Sequence, residues 1–244
     1  MTAPTAAFVI IGNEILSGRT QDANLKFLGE RLARLGIVLR EVRVIADEYD
    51  AIADAVNALR PRHDYVFTSG GIGPTHDDIT TEAIARAFGV PVIKHPEAVR
   101  MLREYYGAEL SDARLRMACV PDGADLIANP VSTAPGFRME NVYVFAGVPK
   151  IMQAMFDALQ HILTGGPPIE SRAVSIKMPE SKIAADLAAV QARFPQVALG
   201  SYPFARPDGY GTTLVARSND AKALAAAFAD LKATLAKLGA PIVE

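Results

Sequence analysis

Tyr65-Val66-Phe67-Thr68-Ser69-Gly70-Gly71-Ile72-Gly73-Pro74-Thr75-His76-Asp77-Asp78 is the stretch that decides the fold. Its opening residues are apolar or β-branched on both alternating faces, which is how a strand buried inside a parallel sheet reads. They run straight into three glycines within four residues. Backbone without Cβ atoms approaches a ligand closely and turns its N–H groups toward an anion. A helix with Ala83, Ile84, Ala87 and Phe88 inward follows and adds the positive end of its dipole. Ligands of open α/β sheets bind beyond the carboxyl ends of strands, so a phosphate or pyrophosphate is the natural guest here.

Upstream, residues 6–11 are apolar on both faces and end at Gly12, and residues 37–45 read as a second strand. Leu25, Leu28, Leu32 and Leu35 mark one face of a helix that stops at Gly36. Asp50 is placed as the cap of a helix carrying Ile52, Val56 and Leu59, which Pro61 closes. Downstream come helices near residues 96–106 and 111–118, a strand over 142–145 and a helix over 150–163. This alternation predicts a three-layer αβα domain, doubly wound around a mostly parallel sheet, over residues 1–166.

Gly165-Gly166-Pro167-Pro168 is the clearest linker. Beyond it Val174, Ile176 and Met178 alternate with Ser175 and Lys177, so that strand has one solvated face. A helix near 181–194, strands at 196–201 and 212–217 around a turn-rich stretch at 202–211, a last helix capped by Ser218 and a short strand at 242–243 complete it. The order β-α-β-β-α-β predicts a small α+β ferredoxin-like domain over residues 167–244.

Composition agrees with this and narrows the function. Half of the 244 residues are apolar and the net charge is −2, which excludes a disordered chain and an electrostatic nucleic-acid binder. A single cysteine, Cys119 in an apolar stretch, excludes a disulfide framework and a multi-thiolate metal site. No secretory signal and no apolar stretch near the ~20 residues of a membrane span are present, so a soluble cytoplasmic protein with no membrane or nucleic-acid partner is expected.

The glycine loop lacks the Gly-Lys-Ser/Thr ending of a P-loop and the spacing of a dinucleotide fingerprint. Two readings stand side by side: a plain glycine-rich turn with Asp77 and Asp78 as helix-start residues, or a phosphate cradle. In the second, these adjacent carboxylates hold a divalent cation (Mg, Mn or Co) that bridges phosphate oxygens. Glu14 on the loop after the first strand and Asp47 on the loop after the second are within reach of the same cleft; each alone also reads as a solvated loop acid. His76 is open between a phosphate contact, a proton donor and an exposed loop side chain.

The run from Thr68 to Ala83 closely resembles the signature of the molybdopterin-binding domain family, the MoaB/MogA-like proteins, and above all its CinA N-terminal branch, which also occurs beside eukaryotic FAD synthases. Gly12-Asn13-Glu14-Ile15-Leu16-Ser17-Gly18 with Asp22 and Asn24, then Asn129-Pro130 with Thr133-Ala134-Pro135-Gly136-Phe137, then Gly147-Val148-Pro149 and Ser201-Tyr202-Pro203 carry the likeness along most of residues 6–217. The resemblance implies metal-dependent hydrolysis of a nucleotide pyrophosphate such as ADP-ribose or FAD, or alternatively molybdopterin binding or adenylylation. Asp47 and Asp78 are then the catalytic acids, with Asp77 and Asp78 on the metal. Gly12, Glu14, Asn24, Ser69, Gly70, Gly71, Gly73, Pro74, Thr75, Thr133, Pro135 and Gly136 hold a nucleotide or pterin ligand, and the protein assembles as a dimer or trimer. No part of these residues resembles the C-terminal deamidase of full-length CinA, so that activity is not expected. Many relatives have Pro before Gly147 and an acid further on, where this chain has Ala146 and Lys150-Ile151.

Overall fold

A computed structural model describes residues 3–207 and 209–243. They fall into two compact units, the larger drawn from Met1–Leu32 and Ile37–Gly166, the smaller from Ala33–Gly36 and Pro167–Glu244.

In the larger unit the chain runs β1 (Thr5–Ile11), α1 (Asn13–Leu16), α2 (Asn24–Arg34), β2 (Val38–Ile45), α3 (Tyr49–Leu59), β3 (Tyr65–Ser69), α4 (Thr80–Phe88), β4 (Val92–Lys94), α5 (Pro96–Tyr106), α6 (Asp112–Arg116), β5 (Cys119–Pro121), β6 (Asp125–Ile127), β7 (Gly136–Met139), β8 (Val142–Phe145) and α7 (Pro149–Leu159). Six strands form one sheet in the order β2-β1-β3-β8-β7-β6. The first four are mutually parallel, and β7 and β6 turn the far edge antiparallel.

Both faces of this sheet are covered, which is why its central strands read as unbroken apolar runs. On one face Ala7, Val9, Val66 and Val144 pack under Ile52 and Val56 of α3 and Ala83 and Ile84 of α4. On the other, Phe67 and Phe145 stack at 6.0 Å and meet Phe156 of α7 edge-on, while Phe27 of α2 meets Phe156 at 5.9 Å. Aromatic pairs in these geometries add roughly 0.5–1.5 kcal/mol each beyond burial. Pro149 occupies the first turn of α7, where its missing N–H costs nothing. Gly89 closes α4 in a left-handed conformation.

In the smaller unit β9 (Glu170–Ile176), α8 (Ala184–Arg193), β10 (Ala198–Arg206), β11 (Gly209–Ser218), α9 (Ala221–Lys237) and β12 (Ile242–Val243) make an antiparallel sheet ordered β10-β11-β9-β12. That is the ferredoxin-like order. Val174, Ile176 and Leu214 face Val190 of α8 and Leu231 and Leu235 of α9, so both helices cover one side of the sheet.

Four expectations change. The turn-rich stretch at 202–211 is a long hairpin, with pairs from Ala198↔Arg217 to Arg206↔Gly209. Its Pro203 is tolerated because β10 is an edge strand that keeps one N–H row unpaired. The cap of α9 is Asp220, which accepts from the amides of Lys222 and Ala223; Ser218 instead donates to Gln196 O. Asp50 lies in the first turn of α3, and Glu48 is the N-cap residue. The short strands β4 to β7 add to the expected elements, being too brief to display a period in sequence.

Candidate phosphate site at the strand ends

Parallel pairing brings four strand ends to one edge of the sheet. Ile11 pairs with Ile45, Ile10 with Ser69, and Ser69 with Phe145, so the loops opening at Gly12, Ala46, Gly70 and Ala146 emerge side by side. Their backbones are in close approach. A Cβ on Gly70 (φ +111) would lie 2.1 Å from the carbonyl oxygen of Ile11, and one on Gly147 would lie 3.2 Å from Gly70 Cα. Gly71 (φ +67) is equally constrained, because a Cβ there would meet Thr80 Oγ1 at 2.2 Å. Gly70 and Gly71 demand glycine for space and for conformation together, and Gly147 for space alone.

Thr80 anchors the loop to α4. Its buried hydroxyl donates to Gly70 O at 2.9 Å and its amide donates to Gly71 O at 2.9 Å. The next turn is organised by Thr75: its amide donates to Asp78 Oδ2 at 2.8 Å, and its hydroxyl lies within hydrogen-bond distance of both Asp77 Oδ1 and Asp78 Oδ2. The Thr75 hydrogen bond holds the exposed Asp77 carboxyl below its ordinary range, with the Asp77 backbone and His76 acting in the same direction. Gly73 lies against Asp78, whose Oδ2 would be 2.7 Å from a Cβ there.

The other expected residues divide into groups. Asp47 Oδ2 accepts from Asn13 N at 2.8 Å, tying the second loop to the first. Glu14 folds its carboxylate back over Gly12. Asn24 is buried and donates to Gly147 O at 2.9 Å, joining α2 to the loop after β8. Its Oδ1, with Thr68 Oγ1 and Ser69 Oγ at the end of β3, is buried without a hydrogen-bond partner. Pro135 lines a small cleft with Gly73 and Asp78. Thr133 holds a left-handed conformation (φ 65) in a loop organised by buried Asn129, which bonds Ser132, Ala134 and Val131. Gly136 is enclosed: a Cβ there would meet Val144 O at 2.3 Å. Pro74 lies half-buried at the turn before Thr75.

One residue escaped the sequence reading. Arg116 donates to Thr75 O at 2.8 Å and to Asp78 O at 3.4 Å, gripping the acidic turn from α6. Nothing local marks it, since its partners are 41 and 38 positions away.

The profile of the probable molybdopterin binding domain matches residues 7–165. The chain belongs to that family. A second profile, the FAD synthase middle domain, matches residues 168–240. Among relatives of this family member, a protein of Aeropyrum pernix is 36% identical over 212 residues, covering 82% of this chain and 79% of its own. A protein named as competence-damage inducible in Desulforudis audaxviator is 37% identical over 159 residues, 62% of this chain and 38% of that one. Among solved structures, the CinA protein of unknown function from Thermoplasma acidophilum superposes with a TM-score of 0.61 at 37% identity, over 65% of this chain and 98% of that one. The family member described here is thus a CinA-like one, a molybdopterin-binding-type domain joined to a module like the middle domain of FAD synthase.

Among the described residues no helix is long and apolar enough to cross a membrane.

Proposed function

We propose that this protein is a divalent-metal-dependent nucleotide pyrophosphatase acting on ADP-ribose, FAD or a similar dinucleotide. The observation that carries the reading is the pair of carboxylates converging on Thr75 at the mouth of the glycine loop. One hydroxyl has one proton to give, so one of the two carboxylate oxygens beside it is left without that donor. The point on which these two oxygens converge is the Thr75 hydroxyl, so the second oxygen of each carboxylate would be the one offered to magnesium, which one or two carboxylates hold together with substrate phosphates. Among the described residues no group of three His, Cys, Asp or Glu gathers, so the two carboxylates would need substrate phosphates to complete the shell of a cation.

Asp77 and Asp78 would hold the cation, whose chemistry is to neutralise charge developing on the phosphoryl oxygens. Gly70, Gly71 and Gly73 let backbone come against the diphosphate, and the start of α4 adds its dipole. Asp47, held by the Asn13 amide, orients the attacking water from the neighbouring loop. The unpartnered Asn24 Oδ1 and Ser69 Oγ are buried polar atoms of the kind a ligand or ordered water satisfies.

A second reading rests on the molybdopterin-binding description of the profile over residues 7–165: the same cradle binds a pterin phosphate and adenylylates it. One experiment separates the two. Purified protein is incubated with ADP-ribose or FAD and each divalent metal, and AMP release is followed. Metal-dependent release that is lost in both Asp77→Asn and Asp78→Asn supports hydrolysis. A blank panel together with AMP transfer from ATP to molybdopterin replaces it by the second reading.

A further inference from the structure

We infer that the free edge of β2 docks a second copy of this chain, which pairs with it antiparallel about a two-fold axis at Val42. β2 is an eight-residue strand at one end of the larger sheet, and among the described residues no strand pairs with its outer side. The Ile45 carbonyl accepts from Gly12 N, so Ile45 directs its main-chain groups toward β1. These groups alternate in direction along a strand, so Glu41 and Arg43 also face β1, while Val42 and Val44 direct N–H and C=O outward. Both valines are exposed, at 37% and 41%, on the sheet face that carries Phe8 and Ile10. Leu16, another exposed apolar residue, belongs to α1, which lies against β2.

Charges on an open edge ordinarily guard it against pairing. On β2 they select one register. An antiparallel partner must set outward-directed residues opposite one another, so the axis passes through a residue and not between two. An axis at Glu41 puts that carboxylate opposite itself, and one at Arg43 brings two guanidinium groups together. Like charges directly opposite each other are destabilising. With the axis at Val44, Arg43 faces Ile45 instead of an acid.

With the axis at Val42, Glu41 of each copy faces Arg43 of the other, Val42 meets Val42, and Val44 lies opposite Arg40. Glu41 and Arg43 then occupy the non-hydrogen-bonded positions, where opposed Cα atoms approach to about 4.5 Å and side chains are closest. The charges are already in place within one chain: Arg43 Nε donates to Glu41 Oε1 at 2.9 Å, and Arg62 lies 3.4 Å from Glu41 Oε2. A second copy closes the Glu41–Arg43 pair into a ring of two carboxylates and two guanidinium groups. Each Val42 exchanges both main-chain hydrogen bonds with its counterpart, and the two six-stranded sheets become one.

The test begins with the oligomeric state of the full chain, measured by analytical ultracentrifugation at micromolar concentrations. A dimer is expected. Val42→Lys sets like charges at the axis from an exposed position and is expected to give a monomer with unchanged far-UV circular dichroism. Cross-linking then reads the register, in a Cys119→Ser background that removes the chain's single cysteine. Val42→Cys puts the two thiols on Cα atoms about 5.5 Å apart, within disulfide reach, and is expected to oxidise to a covalent dimer. Val44→Cys puts them about 14 Å apart, beyond that reach, and is expected to run as a monomer on denaturing gels. A monomer at every concentration, an assembly that Val42→Lys leaves intact, or equal cross-linking at both positions overturns the inference.

Discussion

The Thr80 hydroxyl donates to the Gly70 carbonyl at 2.9 Å, and both groups are buried. This bond ties the first turn of α4 to the strand end from which the glycine loop leaves, so the cradle and the helix dipole aimed at it are held as one piece. Thr80→Val preserves shape and removes the donor. It is expected to cost about 1–3 kcal/mol, because a buried carbonyl loses its partner, whereas Thr80→Ser retains most of the stability. Urea denaturation of the two variants against the parent measures the difference.

Gly70 and Gly89 both have positive φ, +111 and +68, but their surroundings differ. A Cβ on Gly70 collides with Ile11 O at 2.1 Å, whereas nothing lies within 4 Å of one on Gly89. Gly89→Ala therefore carries only left-handed strain, about 1–2 kcal/mol. Gly70→Ala adds a backbone clash and is expected to lose more than that, with the strand end displaced. Thermal unfolding of the pair, side by side, separates conformational strain from steric demand.

The parts of the fold visible in the sequence are those where burial leaves a pattern. Residues 6–11 and 65–68 read as central strands because α3 and α4 cover one face and the Phe156 cluster the other. Strands β6 and β7 leave no pattern because three or four residues cannot show alternation. Residues 202–211 read as a turn in sequence because Pro203, Gly209 and Gly211 punctuate them, and only edge placement makes that proline compatible with a ladder. Within the candidate site the glycine loop and its acids were legible, being contiguous. Arg116 was not, since a hydrogen bond to Thr75 O 41 residues away depends on where α6 comes to lie.

Removing the Thr75 hydroxyl tests the electrostatics of the acidic turn. That hydroxyl is the largest cause holding the Asp77 carboxyl below its ordinary value. The folded-state value is depressed, so the stabilisation is present above the unfolded carboxylate range and is lost as pH falls through the folded value. Thr75→Val is expected to raise the Asp77 titration midpoint toward the ordinary range. The parent keeps Asp77 ionised, and able to hold a cation, further into acid than the variant. Carboxyl carbon NMR titration of Asp77 in both proteins reads this directly, and the acid limb of metal-dependent AMP release should move in the same direction.

Arg116 grips the same turn through main-chain oxygens, 2.8 Å to Thr75 and 3.4 Å to Asp78, and touches neither carboxylate there. Its role is to position the turn. Arg116→Met keeps the apolar stem and releases the turn, so AMP release is expected to fall about tenfold to a hundredfold, mainly in kcat, as misplacement of reacting groups does. Far-UV circular dichroism should be unchanged. Arg116→Lys, a single ammonium without a planar fork, is expected to restore activity only in part. Full activity in Arg116→Met would remove the turn geometry from the mechanism.

Cys119 lines the cleft that also contains Asp78 and Arg116, so its chemistry bears on whether the site works through a thiolate. Burial is the main influence and pushes the thiol above its ordinary range; Glu82 adds to the shift, while Lys94 and Arg116 oppose it. A thiol shifted upward is a poor nucleophile at neutral pH, the opposite of what a catalytic cysteine requires. Alkylation by iodoacetamide is accordingly expected to be slow at pH 7 and to accelerate only at alkaline pH, with a midpoint above that of a free thiol. Cys119→Ser is expected to retain metal-dependent AMP release within about twofold, since neither the carboxylate pair on Thr75 nor the glycine loop uses the sulfur. A variant that folds but hydrolyses nothing would transfer the chemistry from Asp77 and Asp78 to the cysteine.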